Sequence, residues 1–339
     1  MAPLHFGRID VESSLNYADC GECEVARRFL GQVQWRQKMK RTPWYALLML
    51  LAGSSYGLVS TLMKSSYNHG FVVADVTNAQ YLFAVLTLWP IALFWRRKKR
   101  ISQKQWALLA VIGLAGAGTS FTYYLSLTQL PASLGIVLLF QFAWMVLLID
   151  IAVTRRIPTL EKWIGVAMIV VGTLLAVGLF ASHLGQVPMG AVALGLCSAV
   201  FYALTLYLSE FVDPDSSPAL RSALTVTISG IAMVAVFSPV HLYTVSLWHG
   251  LWKWGLLVAL FSQTFPVLLM YIAIPRIGGR MAGVLGSIEL PVAVLVAHLA
   301  LGEVVSLVRW FGVVLILAGI AVSELVVLRH RPRNGAPTH

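Results

Sequence analysis

The feature that most constrains this chain is a series of ten long apolar segments separated by short polar ones. A transmembrane helix needs about 20 mainly apolar residues to cross a hydrocarbon core about 30 Å thick. The predicted spans are Pro43–Met63, Val76–Trp95, Trp106–Leu127, Ser133–Val153, Trp163–Ser182, Pro188–Leu208, Ala219–Pro239, Trp254–Ile274, Met281–Leu301 and Trp310–Leu328. This pattern predicts an all-α polytopic membrane protein rather than a β-barrel, whose strands give short alternating segments.

The composition excludes the other broad classes of protein. Of the 339 residues, 58% are hydrophobic and 12% are charged, whereas soluble domains carry about 25% charged residues. The chain is also too apolar to be disordered. The pair Cys20 and Cys23 gives no disulfide framework. Because a metal site needs more ligands than one such pair, neither a metal nor a cofactor is predicted.

The basic residues indicate how the chain crosses the membrane. With a cytoplasmic N-terminus, 22 of the 25 Lys and Arg fall in the cytoplasmic tails and loops, and only Lys64, Lys253 and Arg309 fall outside. Such an excess follows the positive-inside rule and predicts that both termini are cytoplasmic. The net charge of +11 therefore records topology, and no nucleic-acid partner is expected.

The sequence contains an internal repeat. A shift of 147 residues places 130–174 on 277–321 without a gap, and a shift of 146 places Tyr56 on Tyr202. The first shift aligns Trp163 with Trp310, Gly165 with Gly312, Gly172 with Gly319 and Tyr124 with Tyr271. Each repeat holds five spans, so the second enters the membrane in the opposite orientation. Inverted repeats of this kind are typical of secondary transporters, which bind substrate near the midplane between the repeats.

These observations predict four regions. Residues 1–42 form a cytoplasmic N-terminal tail, 43–182 the first repeat, 188–328 the second repeat, and 329–339 a cytoplasmic C-terminal tail. The N-terminal tail lacks the apolar core of a signal peptide. Since Met39 directly precedes Lys40, Arg41 and the first span, we hypothesise that Met39 is the natural start or that the tail is dispensable.

The ninth span carries the most specific pattern. It contains Ser287-Ile288-Glu289-Leu290-Pro291 and ends in Leu301-Gly302-Glu303. This resembles the ten-helix EamA-like members of the drug/metabolite transporter superfamily, over about residues 43–328. The chain departs from the family pattern in two places. Pro291 falls two residues after the Glu, where the family more often has it adjacent, and neutral Gln80 replaces the basic residue often found early in the second helix of the family. The resemblance implies two five-helix repeats and export of a metabolite or drug.

Ionisable residues inside spans are costly, about 2.5–3.5 kcal/mol at the membrane centre, and Glu289 is the clearest case. It could contact a substrate ammonium group or carry a coupling proton, or it could instead cap backbone groups freed by Pro291. His298 lies nine residues later, about 13–14 Å along the helix, and is expected near the external face. Glu303 is expected to begin the external loop and to pair with Arg309.

Polar and aromatic residues at repeat-matched or intramembrane positions complete the candidates. The binding or coupling candidates are Glu289, Gln141, Trp144, Tyr56, Tyr202, Tyr124, Tyr271, Gln80, Tyr81, Gln263 and His298. They indicate either a weakly polar cavity for an amphipathic solute or ordinary contacts between helices. Pro266 and Pro291 are the hinge candidates, because proline frees a backbone carbonyl.

The function predicted is secondary transport, in the direction of export, of a small organic metabolite or drug across a plasma membrane of the bacterial inner-membrane type. The alternative is a membrane-embedded enzyme that acts on a lipid-linked or amphipathic substrate. No ATP-binding loop motif occurs, and Glu289 and His298 are too far apart for an acid–base pair, so no enzyme activity is expected. The expected partners are a solute, the bilayer and, as candidate coupling ion, protons; the oligomeric state stays open.

The first prediction concerns the tail. Deleting residues 1–38 should leave transport intact, because the spans and the basic residues Lys40 and Arg41 that orient the first span remain. Solute transport and membrane insertion are measured in parallel. Normal insertion with lost transport would contradict the hypothesis.

Overall fold

The computed structural model describes residues 43–94, 101–155, 159–177, 188–209, 211–213, 217–238, 249–277 and 284–329. Within these ranges every regular element is a helix. In chain order they are α1 Pro43–Asn68, α2 Val73–Phe94, α3 Gln103–Gln129, α4 Ala132–Thr154, α5 Leu160–Val177, α6 Met189–Ser209, α7 Pro218–Val236, α8 (Trp252–Ala259, Leu260–Thr264 and Phe265–Ile277 in succession), α9 Val284–Leu301 and α10 Leu307–Arg329.

The ten helices confirm the predicted all-α membrane fold. Eight of them are long and apolar enough to cross a membrane, and α10 contains a shorter apolar stretch, Leu307–Val322. The basic cluster at 96–100, the cysteines at 20 and 23, residues 1–42 and residues 330–339 lie outside the described residues. The topological predictions that rest on those segments therefore stay predictions.

Helices α5 and α10 cross at a local two-fold axis. A Cβ atom added to Gly312 would lie 2.5 Å from the carbonyl oxygen of Gly172, and one added to Gly319 would lie 2.7 Å from that of Gly165. The repeat shift of 147 residues exchanges these two contacts, because Gly165 corresponds to Gly312 and Gly172 to Gly319. The two helices are thus antiparallel and equivalent, as inverted repeats require.

Helices α4 and α9 are interrupted at equivalent positions, although for different reasons. The turns lie at residues 140–141 and 287–288, which the same shift superimposes. In α9, Pro291 has no N–H for the carbonyl of Ser287, and the N–H of Leu290 donates to that oxygen instead, at 3.1 Å. In α4, the Gln141 side chain donates through Nε2 to the carbonyl of Val137, at 3.1 Å, and competes with the helix backbone.

Opposite charges hold the turn between α3 and α4. Both oxygens of Glu303 accept from the start of α4: Oε1 from the N–H of Ala132 at 2.6 Å, and Oε2 from the N–H of Ser133 at 3.1 Å. Lys64 Nζ donates to the carbonyls of Leu127 at 2.8 Å and Leu130 at 3.0 Å, where α3 ends. Each charge thus complements a helix dipole.

This capping replaces the expected contact between Glu303 and Arg309. Gly302 ends α9 with φ of 68°, a backbone conformation that glycine adopts without strain, and the chain then turns toward α4. The free N–H groups at the start of α4 need acceptors, and Glu303 supplies them. Arg309 instead donates to the carbonyl of Val304, at 3.4 Å.

The second prediction tests this cap. Glu303→Ala should lower the free energy of unfolding by about 1–2 kcal/mol, because the start of α4 loses its acceptors. Val304→Ala is the matched control, since its side chain is 84% exposed in the same segment. Thermal unfolding of the purified protein in detergent measures both. Equal melting temperatures for the two variants would contradict the capping role.

Candidate functional site

A lone buried carboxylate marks the centre of the candidate site. Glu289 is the first residue of the α9 segment that follows the turn, and 9% of it is exposed. In the described part of the chain, neither a hydrogen-bond donor nor a cation lies beside its carboxyl group. Burying a charge without a partner is strongly unfavourable, so this position calls for a proton or a positively charged ligand.

One tyrosine from each repeat lies within electrostatic range of this carboxylate. They are Tyr123 and Tyr202. The Tyr202 ring packs edge-on against Phe142, with centroids 4.8 Å apart and an interplanar angle of 84°. Under the repeat shifts, Tyr202 corresponds to Tyr56 and Phe142 to Glu289. Tyr56 packs against the same apolar cluster as Tyr202 and Phe142.

Helix α1 lies directly against the α9 turn. A Cβ atom added to Gly57 would lie 2.8 Å from the carbonyl oxygen of Glu289, and one added to Gly53 would lie 2.8 Å from that of Gly286. Such close contact requires glycine on α1. It places the following turn of α1, with Ser60 and Thr61, beside the second half of α9.

Three buried hydroxyl groups lack a hydrogen bond to the rest of the described protein, although two of them, on Ser60 and Tyr123, interact with each other. They belong to Ser60, Thr61 and Tyr123. The sequence pattern does not single out Ser60 or Thr61, because a Ser or Thr in an apolar helix usually bonds a backbone carbonyl one turn earlier. Their departure from this pattern is visible only in three dimensions.

A second polar cluster joins α2, α3 and α8. Gln80 Nε2 donates to Tyr124 Oη at 3.0 Å and to Ser262 Oγ at 2.9 Å, while its Oε1 has no partner. Tyr81 Oη bonds Ser120 Oγ at 2.8 Å. Ser262 lies in the π-helical segment Leu260–Thr264, which precedes Pro266 and adapts α8 to its missing N–H. The cluster thus links the two repeats.

Gln141 and Trp144 occupy a fully bonded position between α4 and α5. Gln141 Nε2 donates to Val137 O and to Thr173 Oγ1, and Gln141 Oε1 accepts from Trp144 Nε1 at 2.9 Å. These bonds leave little capacity for a ligand, so the geometry favours a role in holding the α4 turn.

The remaining candidates lie apart from Glu289 or cannot be placed. His298 is exposed, and its Nδ1 lies 2.7 Å from the carbonyl oxygen of Glu303. Gln263 is half-buried in the π-helical segment. The Tyr271 side chain lies outside the described residues. Pro291 and Pro266 each lie within a few residues of an irregular turn of their helix, and their role as hinges stays a prediction.

The site offers binding groups rather than metal ligands. Among the residues that the structure describes, no group of three or more His, Cys, Asp or Glu is placed to hold a metal ion. A carboxylate next to hydroxyl groups and aromatic faces suits a small ammonium-bearing solute, because carboxylate pairs with the charge and the rings contact the apolar part.

The chain is similar to known transporters over most of its length. The EamA-like transporter family matches residues 43–178 and 189–325. The threonine/homoserine exporter RhtA of Salmonella typhimurium is 28% identical over 288 residues, which cover 84% of this chain and 92% of the relative. RhtA of Escherichia coli K12 is 28% identical over 294 residues, covering 85% and 94%.

More distant matches support the fold. An uncharacterized transporter of Synechocystis is 22% identical over 305 residues, which cover 81% of this chain and 92% of that protein. A protein of known crystal structure superimposes with a TM-score of 0.59 at 14% identity, covering 85% of this chain and 99% of the other.

The third prediction concerns the energetic cost of the carboxylate. At alkaline pH, where the carboxyl group is ionised, Glu289→Gln should raise the free energy of unfolding by about 1–3 kcal/mol, because the amide removes an unpartnered buried charge and keeps the shape. Asp150→Asn is the matched control, since Asp150 lies near the end of α4 in a half-exposed position. Thermal unfolding in detergent measures both. A Glu289→Gln protein less stable than wild type would show that Glu289 has a structural partner.

Proposed function

The chain belongs to the EamA-like transporter family, and we propose that it exports a small amino acid by alternating access of its two inverted repeats. The observation that carries the proposal is the unpartnered carboxylate of Glu289 at the α9 turn, where residues of both repeats meet. Secondary transporters of inverted-repeat architecture bind substrate at such interrupted helices.

The substrate class follows from the site and from the relatives together. An amino acid carries an ammonium group, which pairs with a carboxylate, and a small side chain, which fits between aromatic rings. Two relatives are exporters of threonine and homoserine. We therefore expect a small neutral amino acid rather than a large drug.

Proton coupling is proposed to use the same carboxylate. A proton and a substrate ammonium group cannot both occupy Glu289, since each neutralises its single negative charge. If the substrate leaves on the outside and a proton replaces it, each return of the substrate-free site carries that proton inward. This mutual exclusion converts a proton gradient into export without any second site.

The conformational change is proposed to occur at the interrupted helices. The turns of α4 and α9 are equivalent across the local two-fold axis, and α5 and α10 cross at that axis. One repeat can then rock against the other while the Lys64 and Glu303 contacts at the α3–α4 turn break and reform. The proposed setting is a bacterial inner membrane with both termini cytoplasmic, as the charge distribution predicts.

The alternative of a membrane-embedded enzyme has less support. Acid–base catalysis needs two groups within hydrogen-bonding reach of one substrate. Among the described residues no hydrogen-bond donor or cation lies beside the Glu289 carboxyl group, and His298 is exposed next to the backbone of Glu303. The proposal is therefore transport rather than catalysis.

The fourth prediction tests coupling. Glu289→Gln should reduce proton-gradient-driven transport of threonine by at least about tenfold, because a charge-assisted contact contributes about 1.5–3 kcal/mol. Purified protein in liposomes, with an imposed pH gradient and radiolabelled threonine, gives the rate. Asp150→Asn serves as the control and should transport at the wild-type rate.

The pattern of loss separates the two roles of Glu289. Loss of gradient dependence with retained exchange of threonine indicates coupling alone, and loss of both indicates substrate binding as well. A Glu289→Gln protein that transports threonine at the wild-type rate, with the same dependence on the pH gradient, would refute both roles.

A further inference from the structure

We infer that Ser60 and Tyr123 form a hydroxyl-recognising subsite next to Glu289, so that the transporter selects ammonium-bearing solutes with a side-chain hydroxyl over isosteres that lack it. The inference rests on the proposed function and specifies its substrate. The ligand class is a small hydroxylated amino acid, with its ammonium group at Glu289 and its hydroxyl at Ser60 and Tyr123.

The first support is that these hydroxyls have no partner beyond each other. Ser60 is 1% exposed and Tyr123 is 5% exposed, and the two side chains interact with each other. No other described residue bonds either oxygen, so at least one buried O–H donor of the pair lacks an acceptor. Buried polar groups in native proteins nearly always have partners, so a ligand that supplies them fits this position.

Nearby hydroxyls show that this lack of an acceptor is not a general property of these helices. Thr122, next to Tyr123, donates to the carbonyl of Gly118 at 2.7 Å, and Ser126 donates to that of Tyr123 at 2.7 Å. Thr173 on α5 likewise donates to the carbonyl of Ile169, at 2.8 Å. A Ser or Thr in this fold can thus satisfy itself within its own helix, and Ser60 and Thr61 differ from that rule.

The internal repeat supplies an independent comparison. Under the repeat shifts, Ser60 corresponds to Leu206, Tyr123 to Met270 and Glu289 to Phe142. All three counterparts are apolar, whereas the neighbouring tyrosines at 56 and 124 correspond to tyrosines at 202 and 271. The symmetry-related positions therefore carry no polar group, so the fold alone does not require polar side chains at residues 60, 123 and 289.

The geometry also limits the size of the ligand. The Tyr123 ring lies against Gly135 of α4, where an added Cβ atom would be 3.5 Å from the ring, and Gly57 holds α1 against Glu289. Helices that approach this closely exclude a bulky ligand. Threonine and homoserine carry a hydroxyl one or two carbons beyond Cα, which suits a subsite adjacent to the ammonium-binding carboxylate.

The experiment compares isosteric substrates. Valine has the shape of threonine with a methyl group in place of the hydroxyl, and norvaline relates to homoserine in the same way. Purified full-length protein in liposomes is assayed for exchange of each radiolabelled amino acid, and the threonine-to-valine and homoserine-to-norvaline rate ratios are recorded. We expect wild-type ratios above about ten, since a site built for a hydroxyl discriminates against analogues that lack it.

Tyr123→Phe and Ser60→Ala should each lower these ratios by about tenfold, the equivalent of one lost hydrogen bond, while valine exchange continues. Tyr207→Phe is the matched control: it also removes one phenolic hydroxyl, at a ring that packs against Phe211 near the end of α6, and should leave the ratios unchanged. Continued valine exchange shows that each variant is folded.

The outcomes distinguish this inference from the proposed function. Unchanged ratios in both variants, with exchange intact, would overturn the hydroxyl subsite alone. Equal losses of threonine and valine exchange would assign the hydroxyls to the substrate carboxylate and would also overturn it. Wild-type protein that exchanges none of the four amino acids would contradict the proposed substrate class itself. Should a variant lose all exchange, isothermal titration of threonine and valine in detergent replaces the rate ratio, and equal affinities in wild type would overturn the subsite.

Discussion

The absence of water in a hydrocarbon core governs this structure. There, each backbone N–H and C=O must find a partner inside the protein, so spanning segments are helical and interruptions are tolerated only where other helices cover them. Here the interruptions of α4, α8 and α9 are confined to a few residues each. The α9 turn is covered by α1, whose Gly53 and Gly57 lie against its carbonyl oxygens. The carboxylate of Glu289 therefore lies in protein surroundings rather than in lipid.

Much of the fold could be predicted from the sequence, because the constraints that shape it are local or repetitive. Hydrocarbon thickness sets the length of each apolar segment, and ten such segments match ten helices. The 147-residue shift relates glycines that prove to form the α5–α10 contact. Both predictions can be made without knowing which helices are in contact, since the number of helices follows from composition and the repeat follows from residue spacing.

Contacts between distant residues could not be predicted in this way. Glu303 caps α4 across 171 residues of sequence, and a carboxylate near Arg309 gave the simpler local expectation. Gln141 is bonded to Trp144 and Thr173, and the bond to Thr173 on α5 could not be foreseen from the sequence. Conversely, Ser60 resembles any serine in an apolar helix, and only the three-dimensional packing reveals that its hydroxyl does not bond a carbonyl of its own helix. Intramembrane charge, as at Glu289, is the one site signal that sequence alone makes visible, because its cost is high wherever it is buried.

Symmetric packing and asymmetric chemistry have separate roles in such a molecule. Where two repeats pack through equivalent contacts, as at the α5–α10 glycines, exchanging their conformations changes the packing energy little, and the two access states can lie within a few kcal/mol of each other. A ligand then shifts the balance only through contacts that differ between the states. The polar groups at Ser60, Tyr123 and Glu289 have apolar counterparts in the other repeat, so bound solute or proton meets different surroundings on the two sides of the pseudo-symmetry. The repeat thus supplies a scaffold that can switch, and the few residues that break its symmetry supply the free-energy difference by which a substrate controls the switch.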